Sequence, residues 1–139
     1  MSSQTRSRVM SRIRGKETGP ELLLAAEMKL LGLTWEEHAR DLPGRPDFVL
    51  RDAKIAIFVD GDFWHGYRFS EWRDKLSEAW EAKIGANIKR DIWNRAALRN
   101  VGWQVIRVWE HQVTARPTAT AHRILRALEK QRKLVTVAL

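Results

Sequence analysis

Asp41-Leu-Pro-Gly-Arg-Pro-Asp47-Phe-Val-Leu-Arg-Asp-Ala-Lys-Ile-Ala-Ile-Phe-Val-Asp60-Gly-Asp-Phe-Trp-His65 is the stretch whose reading decides the fold. Two prolines and a glycine bend the chain, because proline fixes its own φ and glycine accepts backbone conformations that other residues resist. Asp47 then opens the apolar run Phe48-Val49-Leu50, which sets one carboxylate at the lip of a buried strand. A polar break, Arg51-Asp52-Ala53, separates that run from Ile55-Ala56-Ile57-Phe58-Val59, so the two read as a hairpin. The second run ends in Asp60-Gly61-Asp62 and passes into Phe63-Trp64-His65. Carboxylates gathered with an imidazole at a sheet edge are costly to hold together, and the chemistry that uses them is binding of a cation or a phosphate.

Toward the N-terminus, Leu33 to His38 alternates well enough for a preceding strand, with His38 at its surface. Before it, Thr18-Gly19-Pro20-Glu21 is a helix start, with Thr18 as N-cap and proline in the first turn. Leu23, Ala26, Leu30 and Leu31 follow at helical spacing, and Gly32 stops the helix. Glu21 has two readings: a capping-box partner for the Thr18 amide, or a functional acid if the helix points at the carboxylate cluster. Residues 1–17 carry Arg6, Arg8, Arg12, Arg14 and Lys16 among serines, with Val9, Met10 and Ile13 as apolar side chains. They form a basic arm, either solvated or in contact with DNA.

Toward the C-terminus, the segment from Gly66 to about Lys83 reads as an irregular loop with a helical turn, holding Trp72 and Trp80. Ala86 to Val101 is a helix whose apolar stripe is Ile92, Trp93, Ala96, Ala97 and Val101. Its Lys89, Arg90, Arg95 and Arg99 are either solvated or able to follow a phosphate backbone. Gly102 caps it, and Trp103 to Trp109 is a strong strand, brought beside the hairpin by the helical crossover. Pro117 starts a final helix with Ala121, Ile124, Leu125 and Leu128 inward and a structural His122 at the border. The fold class is α/β with a mixed sheet flanked by helices, in one domain over residues 18–139 after the arm.

At 139 residues and 44% apolar content the chain suits one globular domain, and its formal net charge of +8 calls for an anionic partner, with nucleic acid the commonest. The absence of cysteine excludes a disulfide and a thiolate zinc site. No apolar run approaches a membrane span and no secretory signal opens the chain, so a cytoplasmic location is expected.

A helix with a glutamate, then a hairpin with Asp47 and acids at the end of its second strand, is what a Mg²⁺-dependent phosphodiesterase requires. Hard oxygens hold the ion, and His65 titrates near neutral pH, which makes it the best general base for the attacking water. The pattern is a variant of the Asp…(Asp/Glu)-x-Lys nuclease motif, with Val59-Asp60-Gly61 at the second element and no lysine.

Four blocks carry a closer resemblance: Leu42-Pro-Gly-Arg-Pro-Asp47-Phe-Val, Ile57-Phe-Val-Asp-Gly-Asp-Phe-Trp-His65, Lys83-Ile-Gly-Ala-Asn-Ile-Lys-Arg-Asp91 and Gly102-Trp-Gln-Val-Ile-Arg-Val-Trp-Glu110. In the same order, over residues 6 to 113, they resemble the very short patch repair (Vsr) endonuclease family. The resemblance implies a restriction-endonuclease-like core and Mg²⁺-dependent nicking of one DNA strand at T:G mismatches. It implies that Asp47 and the Val59 carbonyl bind Mg²⁺, that His65 serves the attacking water and that Glu21 helps order the metal's water shell. Asp60 is placed in the catalytic set without a settled role. Phe63 and Trp64 match an aromatic pair that wedges beside the mismatch, and Met10 falls where the arm inserts from the other groove. Arg12, Arg14, Lys16, Lys89 and Arg90 are the expected phosphate contacts. Double-stranded DNA is the implied partner, with mismatch-repair proteins beside it, for a monomer associated with the nucleoid.

The chain departs from that family at its structural zinc. Asp62 and His111 stand where two cysteine ligands would be, and the other two positions fall near Tyr67 and Phe69, which cannot bind zinc. No zinc is expected, and packing of Tyr67, Phe69 and Trp72 with an Asp62–His111 contact has to replace it. Two alternatives stay open: a related nuclease of restriction or defence with another DNA specificity, and a DNA-binding module whose catalytic site has decayed.

Overall fold

The structure, a computed structural model, describes residues 18–138, with side chains described as far as residue 134. Met10, Arg12, Arg14 and Lys16 therefore lie outside the described residues. The chain divides into two compact units, one of residues 35–112 and one pairing the segment up to Thr34 with Val113 onward.

The unit of residues 35–112 is built on the hairpin. Strand β2 (Phe48–Leu50) runs antiparallel to β3 (Ile55–Asp60) with Phe48 opposite Ile57 and Leu50 opposite Ile55. The connection is a single 3₁₀ turn over Arg51–Ala53, closed by Lys54 in the left-handed region at φ 53°. Phe48, Val49, Leu50, Ile55, Ala56 and Ile57 are all buried. Continuous burial rather than alternation is what a sheet covered on both faces demands, and burying each large side chain contributes about 1.5–3 kcal/mol.

Strand β4 (Gln104–Trp109) lies parallel to β3, from Ile55 opposite Gln104 to Asp60 opposite Trp109. The expected first strand shrinks to β1 (Glu36–Glu37), antiparallel to β2, and the four-stranded order is β1-β2-β3-β4. His38 ends β1 because it turns to φ 51°, a left-handed conformation that breaks extension. Arg51 ties this edge down, donating to both oxygens of Glu36 and of Asp41. The mixed sheet flanked by helices is the one the residue pattern predicts, and it is consistent with the restriction-endonuclease-like core that the resemblance implies.

Two helices connect the hairpin to β4. A single turn, α2 (Phe69–Trp72), precedes the long α3 (Glu78–Asn100), whose N-cap Ser77 accepts from the Trp80 amide. The helix thus starts eight residues before Ala86, where its apolar spacing becomes legible. Its buried side is also not the expected stripe. Ile84 and Leu98 are fully buried while Trp93 is 78% exposed and Ile92 53% exposed. Ile88, Asp91 and Arg95 complete the inward face at helical spacing.

The second unit contains α1 (Gly19–Leu30) and α5 (Pro117–Ala138), which pack on each other, and the short α4 (Glu110–Ala115) leads into α5. Thr18 caps α1 as expected, its Oγ1 accepting from the Glu21 amide at 3.4 Å. The inward face is Glu21, Leu24 and Met28, not the expected Leu23 and Leu30, which are 37% and 81% exposed. Ala121, Ile124 and Leu128 are buried on α5.

Candidate active site

Asp47 owes its position to the end of a ladder. Continuing the β2–β3 register would set Val59 opposite Pro46, but β2 begins only at Phe48. The Asp47 carboxylate fills the gap, its Oδ2 accepting from the Val59 N–H at 2.7 Å. A strand residue sends its N–H and C=O to the same side, so the Val59 carbonyl shares that edge with Asp47. His38, expected at the surface, instead brings Nε2 to 3.9 Å from Asp47 Oδ1 and is half-buried.

One residue on, Asp60 is buried at 5% exposure and anchors a second group. Arg107, reaching from β4, donates Nε to Asp60 Oδ2 at 2.5 Å, and its guanidinium lies 4.0 Å from the Trp109 ring centroid. His65 lies between two carboxylates, with Nδ1 2.6 Å from Asp91 Oδ2 and Nε2 3.7 Å from Asp60 Oδ1. Arg107 Nη2 also meets the His65 carbonyl at 3.4 Å and Asp91 at 3.6 Å. Ligand atoms of Asp60, His65 and Asp91 fall within 4.8 Å of one another, a set that could hold a metal ion. The guanidinium already bridges both carboxylates there and offsets one of their two charges, which favours a proton-handling network over a cation at that spot.

Burial pushes the Asp60 carboxyl up, against the pull of His65 and Arg107 in the other direction. For His65, burial pulls the imidazole down, but the Asp91 hydrogen bond and the Asp60 charge outweigh it and the net shift is upward.

Helix α3 holds the loop that carries His65. Asn87 Nδ2 donates to the Trp64 carbonyl at 3.1 Å, and Asp91 one turn later receives His65. Between them Gly66 adopts φ +71°, and a Cβ there would collide with the Ile88 side chain. Close approach of loop to helix thus requires glycine twice over.

The outward side of the same loop is aromatic. Phe63 and Trp64 are 41% and 45% exposed, as side chains that could wedge into a duplex must be. Behind them Phe63 stacks on Trp72 with centroids 5.5 Å apart, and Trp80 closes on both Phe63 at 5.8 Å and Trp64 at 5.6 Å. Trp80 is itself 42% exposed, so three rings share one open surface. Lys83 Nζ lies 5.1 Å from the Trp64 centroid and 5.3 Å from that of Trp80, a cation at the rim. Lys89 and Arg90 are exposed further along α3.

The loop's base is clasped to the end of β4. His111 Nδ1 is 2.7 Å from Asp62 Oδ1, the Asp62 N–H donates to Glu110 Oε1 at 2.9 Å, and Tyr67 packs on His111 at 4.4 Å. Trp72 Nε1 donates to the Tyr67 carbonyl at 2.8 Å. The Asp62–His111 contact and the packing of Tyr67 are those that the sequence reading expects at this loop.

Glu21 lies in the first turn of α1 and is buried, in the other unit. Asp91, Arg107, Trp80 and His38 were not in the sequence-derived set. Asp91 had a legible signal, a carboxylate seven residues after Ile84 on the inward face of a helix. Trp80 had only its spacing from Trp72, and nothing local marked Arg107 or His38.

Known proteins are similar to this chain in sequence. The family model described as DNA mismatch endonuclease Vsr matches residues 1–71. The type II nicking enzyme V.NmeDIP of Neisseria meningitidis serogroup C is 34% identical over 137 residues, 96% of this chain and 93% of that protein. DNA mismatch endonuclease Vsr of Escherichia coli K12 is 34% identical over 128 residues, 91% and 82% of the two chains. The type II nicking enzyme V.HpaIIP of Haemophilus parainfluenzae is 35% identical over 118 residues, 83% and 84%.

Proposed function

The chain belongs to the Vsr family and is an endodeoxyribonuclease, and from that premise we propose that it nicks one strand of a duplex at T:G mismatches by Mg²⁺-dependent attack of water on a phosphodiester. The observation that carries the reading is the pair of adjacent groups at the end of β3: a carboxylate beside a backbone carbonyl at Asp47 and Val59, and an oriented imidazole at His65.

Asp47 and Val59 offer hard oxygen donors, which is the donor chemistry Mg²⁺ prefers. A Mg²⁺ ion held there supplies Lewis-acid polarisation of the scissile phosphate. The Val59 amide fixes the Asp47 carboxylate through Oδ2 and aims it along the strand edge. At His65, Asp91 accepts the Nδ1 proton, which makes Nε2 the basic nitrogen and fixes the ring's orientation. The imidazole accepts the proton of the attacking water at Nε2, and Asp60 beside it stabilises the imidazolium that results. Arg107, paired with both carboxylates, offsets part of the repulsion between Asp60 and Asp91 while His65 is neutral.

Phe63 and Trp64, with Trp80 against them, provide the apolar wedge. Unstacking a base step costs about a few kcal/mol and costs least at a mismatch, so a wedge selects weakened steps before any base edge is read. The +8 charge supplies the attraction to duplex phosphates.

A nicking assay tests the proposal. Duplexes carrying T:G, other mismatches or none, labelled on each strand, are incubated with Mg²⁺ or with EDTA. Nicking of the T-bearing strand of the T:G duplex alone, abolished by EDTA, is expected; equal cleavage of the matched duplex overturns the mismatch reading.

A further inference from the structure

Helix α5 carries Arg116, just before its start, then Arg123, Arg126, Lys130, Arg132 and Lys133, and one acid, Glu129. At 100° per residue, Arg116, Arg123, Arg126, Lys130 and Lys133 fall on one side, away from the buried Ala121, Ile124 and Leu128. All five are exposed, and among the described residues Arg126, Lys130 and Lys133 form no ion pair. Glu129 borders the stripe without interrupting it. From residue 123 to 133 the stripe runs about 15 Å along the helix, the length of roughly four phosphates on one strand.

A basic helix can meet a membrane, an acidic protein or a nucleic acid. Membrane binding uses an amphipathic helix whose apolar face enters the lipid, and in α5 that face is already committed to packing with α1. Leu134, 57% exposed, is a single side chain and makes no apolar face among the described residues. What remains among the described residues is a linear array of cations without apolar anchors, which lacks the buried hot spots a protein interface needs and matches the regular charge of a duplex backbone.

We propose that this face of α5 is a second duplex-binding surface, which holds the phosphate backbone without reading sequence. The proposal rests on the DNA reading above. Its job is to add affinity and salt dependence to binding while leaving the mismatch choice to the aromatic loop.

The test compares the full-length chain with the variant R126Q/K130Q/K133Q, in EDTA so that no strand is cut. Binding to a T:G duplex and to a matched duplex is measured across salt concentration. Each lost phosphate contact lowers the slope of log K against log salt by about 0.9, so the expected change is about 2.7 for both duplexes. Affinity falls at least tenfold at low salt, nicking at saturating DNA stays within about twofold, and an unchanged circular dichroism melt shows that the fold persists. An unchanged slope in a folded variant overturns the proposal. So does a variant that loses binding to phosphatidylserine vesicles and keeps its DNA slope, because the stripe is then a lipid surface. Failure of the unmodified chain to bind duplex at all overturns the nuclease reading itself, a separable result.

Discussion

Two sides of one loop behave as opposites. Residues 60–65 send Asp60 and His65 inward, where Asp60 Oδ2 meets Arg107 of β4 and His65 Nδ1 meets Asp91 of α3, and send Phe63 and Trp64 outward, where large apolar rings stay in water. The inward side is expensive in buried charge and the outward side in exposed apolar surface, and neither arrangement stabilises a fold well. Both make sense if the first handles protons and the second meets a base stack. Each half also has its own support: Asp91 and Arg107 behind the polar side, Trp72 and Trp80 behind the aromatic one. The halves should therefore be separable by mutation.

The largest effect breaks chemistry without recognition. Asp47→Ala removes the charged oxygen donor at the strand edge, and nicking should fall by at least about 10³-fold. Duplex affinity measured in EDTA should keep its preference for T:G within about twofold. If that preference disappears with nicking, the two sides are not independent.

Asp91→Asn comes next, with an expected loss of about 10²-fold in kcat/KM. The pH profile is more telling than the rate. His65 must be neutral to act as base, and its upward shift makes activity fall, as pH is lowered, around a midpoint above the ordinary histidine value of about 6.5. Removing the Asp91 carboxylate deletes a hydrogen bond that favours the imidazolium, so the midpoint moves to lower pH. Stability follows the opposite limb: a raised histidine stabilises the fold fully below its unfolded value, and this contribution fades as pH rises through the folded value. The gap in melting temperature between the two proteins should thus narrow from acid toward alkaline pH. A midpoint that stays put in Asp91→Asn would show that His65 is not the titrating base.

On the aromatic side, Trp64→Ala should reduce T:G affinity by roughly 1–3 kcal/mol, a loss of about five- to 150-fold, as expected for one lost stacking ring. Binding to matched duplex should change little, so the discrimination ratio shrinks. Trp80→Ala should do part of the same, since Trp80 both backs Trp64 and adds exposed surface.

How far the sequence alone could go divides along the same line. The hairpin, the strand β4 beside it and the Thr18 cap rest on local signals, which are runs of apolar residues, turn residues and a capping hydroxyl, and all three stand. Exposure of Phe63 and Trp64 follows from their place in a polar loop. Helix α3 misleads because its inward face serves the site: Asn87, Asp91 and Arg95 occupy positions that periodicity assigns to apolar side chains, while Ile92 and Trp93 are left outside. Arg107 and His38 enter through strand register and a left-handed turn. Neither is visible in local composition.

The smallest effect concerns what joins the two sides. The Asp62–His111 pair clasps the loop's base to the end of β4, with Tyr67 packed on the imidazole. Both side chains are more than a third exposed, at 35% and 41%, so solvent screens the pair and its contribution is about 0.5 kcal/mol. His111→Ala removes the hydrogen bond and the ring contact together and should lower the melting temperature by about 2–4 °C. Because Asp91, Arg107 and Asn87 hold His65 from other elements, kcat should stay within about twofold. The aromatic surface has less support at that end, so any functional loss should appear as weaker T:G preference. A fall in kcat with recognition intact would mean that the clasp positions His65 rather than the wedge.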